Sequence, residues 1–231
     1  MARVTTTPPD LWHHYGRARS DSDRAVPPVF SWVWAQDAGP GAEVLGDVTG
    51  LVVADLGAGV ARHAAHLVAR HAPARVDAVD SSAAQHARAR DLYGHLAPRL
   101  RAVHADAVDH LDAHPGSYDV LCSVFGSLDF TDPRRLLPAA ARALRPGGLL
   151  VASTLGHYLG GAPAETDVRH AEVPVRTPDG TAATMRRWVL QEAVWTELLD
   201  GAGFTRIGVD RLPPAALGPR SADTLLLRAR R

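Results

Sequence analysis

The chain has 231 residues, and its 25 basic side chains balance its 25 acidic ones; that length suits a single domain with one sizeable core, and the absence of a basic excess disfavours a nucleic-acid partner. Every basic residue is arginine, and neither lysine nor asparagine occurs, which removes Schiff-base catalysis, the usual P-loop phosphate clamp and N-glycosylation. Cys122 is the sole cysteine, so an internal disulfide and a cysteine-based zinc cluster are excluded.

Residues 1–10 read as a disordered start without the basic-then-apolar pattern of a leader, and no run of eighteen apolar residues follows. A cytoplasmic protein with no membrane partner is expected. Residues 11–48 are dense in aromatics: Trp12, Tyr15, Phe30, Trp32 and Trp34. The apolar residues 51–54 lead into Asp55-Leu-Gly57-Ala58-Gly59-Val-Ala61-Arg62, which reads as a buried parallel strand turning sharply into a helix. The glycines serve the backbone, letting main chain approach a ligand that a β-carbon would obstruct. A helix over about 60–71 and a strand over 74–80 follow. That strand closes on Asp80, at the spacing from a glycine turn where an acid accepts bonds from ribose hydroxyls. Further strands are predicted over 100–105, ending before Asp106, over 118–122, leading into Ser123 and Phe125, and over 149–153. An apolar-periodic helix over 136–144 precedes the last of these.

Residues 155–190 contain a glycine-rich loop with His157 and Tyr158, then an alternating stretch over 172–176, the turn Pro178-Asp179-Gly180 and a returning run over 184–190 that includes Trp188. Alternation on both sides of Asp-Gly predicts a β-hairpin, with Pro174 confining its first strand to an edge. Residues 191–231 supply a last helix and the strands after it.

Strand and helix alternate in an order that resembles the class I S-adenosylmethionine-dependent methyltransferases. DLGAGVAR is similar to their first motif, AVDSS to the ribose-binding acid, HADAV to the adenine-edge strand end, YDVLCSVFGSL to the fourth motif and LRPGGLLVAS to the turn before the fifth strand; the likeness covers residues 49–228. Ala61 departs from the pattern by standing where many members have a third glycine. The resemblance implies an α/β, Rossmann-like, seven-stranded and mostly parallel sheet with helices on both faces, an N-terminal helical lid and a β-hairpin insertion after the fifth strand. It divides residues 11–231, one methyltransferase domain, into a lid (11–48), a cofactor-binding core (49–154), a substrate flap (155–190) and a C-terminal helix and hairpin (191–231). The cofactor implied is S-adenosyl-L-methionine, leaving as S-adenosyl-L-homocysteine. Its contacts are expected from Tyr15, Asp55, Gly57, Ala58, Gly59, Asp80, Ser81, Asp106, Ala107 and Ser123. The absence of lysine and asparagine, with Ile207 the only isoleucine, is the codon bias of a GC-rich genome, so an actinobacterial-type member is expected. By analogy the acceptor is a small molecule, methylated on an oxygen in a secondary-metabolite pathway, and the protein a monomer or homodimer.

Two other classes stay open. The same fold can bind the cofactor without transferring methyl. An NAD-dependent oxidoreductase also begins strand, glycine turn, helix, although here Arg62 occupies the position where a pyrophosphate needs a third small residue.

Methyl transfer chiefly requires alignment and exclusion of water, and a hydroxyl acceptor gains from a base near neutral pH. His157 is the candidate base, or else an ordinary loop histidine; His170 and the pair His13 and His14 are substitutes. Trp34, Phe125, Tyr158 and Trp188 are expected to line the acceptor site, while the lid aromatics serve either a sulfonium by cation–π attraction or simply the core. His110 and His114, four apart beside Asp109 and Asp112, could share a metal or lie on a solvated helix face. Asp129 and Asp132 lie where magnesium-dependent catechol methyltransferases place a ligand, without the matching Asp-Asn pair, so a metal-free site is expected.

Overall fold

A computed structural model describes residues 9–13, 25–36, 39–216, 218 and 220–231. Strands β1 (Val52–Leu56), β2 (Arg75–Asp80), β3 (Leu100–His104), β4 (Tyr118–Val124) and β5 (Leu144–Leu155) are parallel; β9 (Thr224–Arg230) pairs antiparallel with β5, and β8 (Thr205–Leu212) pairs antiparallel with β9 and so runs in the β5 direction again, in the order β3-β2-β1-β4-β5-β9-β8. The central strand segments, residues 52–54 of β1, 120–122 of β4 and 149–152 of β5, read as continuous apolar runs because helices cover both faces of the sheet. On one face α3 (Ala107–Asp112), α5 (Pro133–Ala143) and α6 (Glu192–Gly201) bury a core that includes Leu121, Leu137 and Trp195; on the other α1 (Arg62–Arg70) and α2 (Ala83–Tyr93) pack with Phe30 and Trp32. The short α4 (Ser127–Phe130) follows β4.

Because β2 and β4 flank β1 on opposite sides, the chain reverses its winding direction between β1 and β4. In open α/β sheets such a reversal is where a ligand crevice is expected, beyond the carboxyl ends of the strands. At that point two turns meet backbone to backbone: a β-carbon on Gly57, whose φ is +74°, would lie 2.3 Å from the Ser127 nitrogen and 2.7 Å from the Gly126 α-carbon. Glycine is required at position 57 both for its left-handed backbone and for this approach.

Several elements differ from their sequence expectation. Residues 145–148 do not separate α5 from β5; Leu144 already pairs with Tyr118, and the Arg-Pro-Gly-Gly turn bulges within the strand before pairing resumes at Val120 and Leu149. The returning hairpin strand stops at Arg187, so β6 (Ala171–Arg176) and β7 (Ala182–Arg187) form a separate two-stranded sheet that excludes Trp188. For the N-terminal segment, residues 14–24 lie outside the described residues, and among those described from 25 to 48 the helical turn present is a 3-10 turn, Ala42–Leu45. There Phe30 and Trp32 are core residues, with Phe30 against His63 and His66 of α1 and the Trp32 indole donating to the Gly41 carbonyl at 2.9 Å.

Asp55 faces the α1 side of β1 and is 1% exposed. Burial, reinforced by the nearby charge of Asp80, pushes its carboxyl up from 3.8 to about 7 against the amide of Ala64. Between those pH values the folded chain therefore binds a proton that the unfolded chain has lost, and stability falls as pH rises through about 7. Asp55→Asn is expected to melt higher than the parent at pH 8, by on the order of 3 kcal/mol, with the difference shrinking toward pH 4; thermal denaturation across that range checks the slope. Gly57→Ala is expected to cost about 2 kcal/mol or more, read as a lowered urea midpoint.

Candidate functional site

The carboxyl ends of β1 to β5 collect the residues singled out in the sequence. In the first turn the amides of Gly57 and Ala58 both donate to the Val79 carbonyl, at 2.9 and 3.0 Å, which locks β1 to the end of β2. Asp80 receives the Gly59 amide on one carboxylate oxygen at 2.7 Å and the Ser82 amide on the other at 2.8 Å. Burial raises this carboxyl above its ordinary value, with the two amides acting against it. Since each oxygen accepts one bond in the plane and has a further lone pair, two acceptor directions are left on Asp80. A β-carbon built on Gly59 would meet nothing within 4 Å, so the approach beside it is open.

Ser81 is exposed and its carbonyl accepts from the His104 ring at 3.1 Å. Asp106 caps α3 with one oxygen, taking the amides of Val108 and Asp109 at 2.8 and 3.2 Å, while Ala107 is buried behind it. Ser123 is 2% exposed; its hydroxyl donates to the Leu56 carbonyl at 2.8 Å and so clips β4 to β1. Asp55 lies beneath this floor, buried under α1. Tyr15 lies outside the described residues.

Asp10, which the sequence reading left in a disordered start, and Trp12, which it placed in the lid, reach the β2 turn together. The Asp10 carboxylate accepts from the Ser82 hydroxyl at 2.8 Å, the Ala84 amide at 3.0 Å and the Trp12 amide at 3.0 Å, and the Gln85 amide nitrogen donates to the Trp12 carbonyl at 2.8 Å. Burial alone would raise the Asp10 carboxyl, yet these three donors outweigh it and hold it below its ordinary value. The Trp12 ring then meets Phe130 of α4 edge to face at 4.6 Å, spanning from the β2 end to the β4 end. No local pattern announced this strap, because its partners lie more than seventy positions away.

The residues expected to line an acceptor site are arranged differently from expectation. Trp34 packs edge to face on Phe125 at 5.1 Å and is anchored through its amide to the Thr224 hydroxyl and through its indole to the Arg220 carbonyl. Trp188 turns the other way, buried in the α5 and α6 core against His170. Its neighbour Arg187, which the sequence reading passed over, enters instead. The Arg187 guanidinium sits 5.4 Å from the Trp34 ring and 5.1 Å from the Phe130 ring, and reaches the fully buried Asp129 through Nη2 at 2.7 Å and Nε at 3.2 Å. Burial raises the Asp129 carboxyl, and the Arg187 charge opposes that rise. The Trp188 amide also donates to the Asp129 carbonyl at 2.7 Å, so the end of the hairpin is fastened to α4 by backbone and side chain together.

His157 has both ring nitrogens in use. Its Nδ1 donates to the Tyr158 carbonyl at 2.9 Å, and its Nε2 accepts from the Asp223 amide at 3.2 Å. That pairing selects the neutral Nδ1 tautomer and ties the loop after β5 to the segment before β9. The Tyr158 hydroxyl donates to Glu165 at 3.1 Å, and burial together with that bond pushes it up to about 12. The residues considered as metal ligands are also turned onto neighbours. His110 donates to the Tyr118 hydroxyl at 2.6 Å, which donates to Asp77 at 2.9 Å; His114 donates to the His110 carbonyl, and Asp132 caps α5. Among the described residues no group of three or more His, Cys, Asp and Glu could hold a metal ion, and no helix is long and apolar enough to cross a membrane.

Comparison with known proteins follows the sheet order. Residues 53–148 match a methyltransferase domain family, and no curated protein matches the sequence. Among solved structures, an S-adenosylmethionine-dependent methyltransferase from Mesorhizobium loti is similar with a TM-score of 0.62 and 24% identity, over 81% of this chain and 94% of that one. The 1,6-didemethyltoxoflavin-N1-methyltransferase of Burkholderia thailandensis, solved with 1,6-didemethyltoxoflavin and S-adenosylhomocysteine bound, gives 0.56 and 24%, over 79% and 72%. The [4+2]-cyclase SpnF gives 0.59 and 19%, over 82% and 79%. Its strand order is that of the fold shared by these solved structures, and residues 53–148, which hold the glycine turn, match a methyltransferase domain family.

Proposed function

We propose that this protein binds S-adenosyl-L-methionine across the carboxyl ends of β1 to β4 and transfers its methyl group to an oxygen of a small-molecule acceptor held under the hairpin. Asp80 carries the reading. A vicinal diol needs two acceptors side by side, and the two directions left on this carboxylate by the Gly59 and Ser82 amides supply them. Asp106 has one oxygen free of its capping role, suited to an adenine amino group at the β3 end, with the Ser81 and Ala107 backbones flanking it. The open approach beside Gly59 leaves room for the methionine portion to lie against the glycine turn. Asp55, under the floor, acts through charge rather than by contact. Tyr15, which lies outside the described residues, is carried over as a contact from the sequence resemblance alone.

The bound donor supplies a methyl carbon already activated by positive sulfur. What remains for the protein is to align an acceptor and to keep water out. Alignment alone can supply roughly 7–11 kcal/mol. Trp12 and Phe130 close the space between the two halves of the crevice, while Trp34 and Phe125 wall the acceptor side next to Tyr158. With both nitrogens of His157 engaged, the loop histidine serves as a latch, and Trp188 serves the core; neither needs to touch the acceptor.

That same engagement of His157 favours a second reading, in which the fold holds the cofactor as a scaffold without transferring methyl. Purified protein incubated with methyl-labelled donor and a panel of phenols, enols and carboxylic acids separates the two: a labelled product supports transfer, and S-adenosylhomocysteine binding with no product from any acceptor supports the scaffold.

Asp80→Ala is expected to weaken S-adenosylhomocysteine binding by about 2 kcal/mol, some thirtyfold, and unchanged affinity by titration calorimetry would refute the ribose assignment. His157→Gln is expected to leave the pH profile of product formation in place while lowering the melting temperature by a few degrees; loss of the alkaline or acidic limb would restore this histidine as the base.

A further inference from the structure

Arg187 offers donors that the described residues do not use. Both of its bonds to Asp129 converge on a single carboxylate oxygen, through Nε and Nη2, and Nη1 has no acceptor among the described residues. The residue is only 9% exposed. A guanidinium buried for structure alone is normally matched to both oxygens of a carboxylate in a fork, and buried donors without acceptors are costly. Here one edge is held and the other is presented.

The surroundings of that edge define what it can take. Trp34 and Phe130 flank the guanidinium, and Phe125 stands against Trp34 on the turn after β4, so the neighbouring walls are flat and apolar. Phe130 in turn touches Trp12, which is tied through Gln85 to the β2 end where Asp80 lies. The cation therefore sits on the acceptor side of the donor crevice. The second carboxylate near this face, Glu165, accepts the Tyr158 hydroxyl, and Asp129 lies on the far edge of Arg187. A guest that enters meets positive charge first, between aromatic planes.

We propose that the acceptor is a planar conjugated molecule bearing an anionic oxygen, an ionised acidic hydroxyl or a carboxylate, and that the free edge of Arg187 holds this oxygen; this rests on the methyltransferase reading above. Asp129 is then a positioning residue, fixing the plane of the guanidinium between the rings. The charge also replaces a general base. An acidic hydroxyl bound at Arg187 favours its ionised form and releases its proton to water. The oxygen lone pair forms the new bond to the methyl carbon as the carbon–sulfur bond breaks, and that bond's electron pair remains on sulfur, leaving a neutral thioether. Such a site selects acceptors that ionise near neutral pH and rejects amines that are already cationic.

The test uses full-length protein saturated with S-adenosylhomocysteine and three probes of similar shape: para-nitrophenol, para-nitrobenzoate and the neutral para-nitroanisole. Absorbance titration is expected to show that nitrophenolate or nitrobenzoate binds at least about tenfold tighter than nitroanisole, with bound nitrophenol ionising at a lower pH than the free compound. A preference for nitrophenolate marks a hydroxyl acceptor and one for nitrobenzoate a carboxylate acceptor. The paired change Arg187→Gln with Asp129→Asn, which leaves no lone buried charge, is expected to abolish the preference while retaining S-adenosylhomocysteine affinity; if that variant does not fold, Arg187→Lys is expected to keep a reduced preference. Nitroanisole binding as tightly as the anions, a preference that survives in the paired or lysine variant at full strength, or no binding of any probe overturns the proposal. Failure of the parent protein to bind S-adenosylhomocysteine is a different result and overturns the methyltransferase reading instead.

Discussion

The contact between the Gly57 and Gly126 backbones fixes the geometry on which the site depends. Two turns that leave adjacent strands in opposite winding directions are pressed together until neither tolerates a β-carbon: one on Gly126 would lie 2.5 Å from the Leu56 carbonyl. Everything placed beyond the strands takes its position from that junction. Ser123 reinforces it by clipping β4 to Leu56. Phe125 is the residue in between, held at a φ of +47° with its amide bonded to the Ser153 carbonyl at 3.0 Å. A left-handed backbone costs a non-glycine residue roughly 1–2 kcal/mol, and here it aims an aromatic side chain at Trp34 rather than at the sheet. The strain and the placement of an acceptor wall have one cause.

The strap adds a second carboxylate to a turn that already has one. Asp10 and Asp80 both accept from Ser82, the first from its hydroxyl and the second from its amide, and the charge of Asp10 raises the proton affinity of Asp80. Docking the strap thus weakens the ionised form of the acid that should receive a ribose, while Trp12 covers the space that the ribose should fill toward α4. Hydrogen-bond donors on a guest relieve such repulsion, because hydroxyls pointed at Asp80 stabilise its charge. Strap and guest are coupled through the Ser82 turn, and the sign of the coupling follows from which groups donate.

How much of this was legible in the sequence depended on the range of each interaction. The strand ends at Asp80 and Asp106, the glycine turn and the α/β alternation are written in contiguous residues, since backbone conformation and apolar runs are local properties. Trp188, expected at an acceptor site, lies in the α5 and α6 core while Arg187 meets Asp129, and because the strand ends at Arg187 no alternation in the sequence separated the two. Asp10 was lost because a carboxylate ten residues from the start of the chain has no local signal, and its donors come from a helix terminus far along the sequence. His157 was placed correctly on its loop, but whether its nitrogens were free depended on the backbone of Asp223, a fact of tertiary structure alone. Phe30 and Trp32 joined the core and Trp12 and Trp34 the crevice, a division that composition could not make.

The buried ion pair is where stability and chemistry separate. Taking a carboxylate and a guanidinium out of water costs several kcal/mol apiece, and an apolar pair of the same volume would often hold the hairpin to α4 equally well. The Trp188 amide on the Asp129 carbonyl already provides that attachment without charge. What the ion pair contributes beyond attachment is a cation held on one edge by Asp129 and standing within 5.4 Å of the Trp34 ring and 5.1 Å of the Phe130 ring. Flexible lysine would not keep such an orientation, and a chain whose basic residues are all arginine meets that requirement here with a rigid fork. The hairpin thereby does more than fasten to α4: among the described residues it delivers a buried guanidinium that retains a donor edge beside aromatic rings, and the chemistry proposed for the guest follows from that delivery.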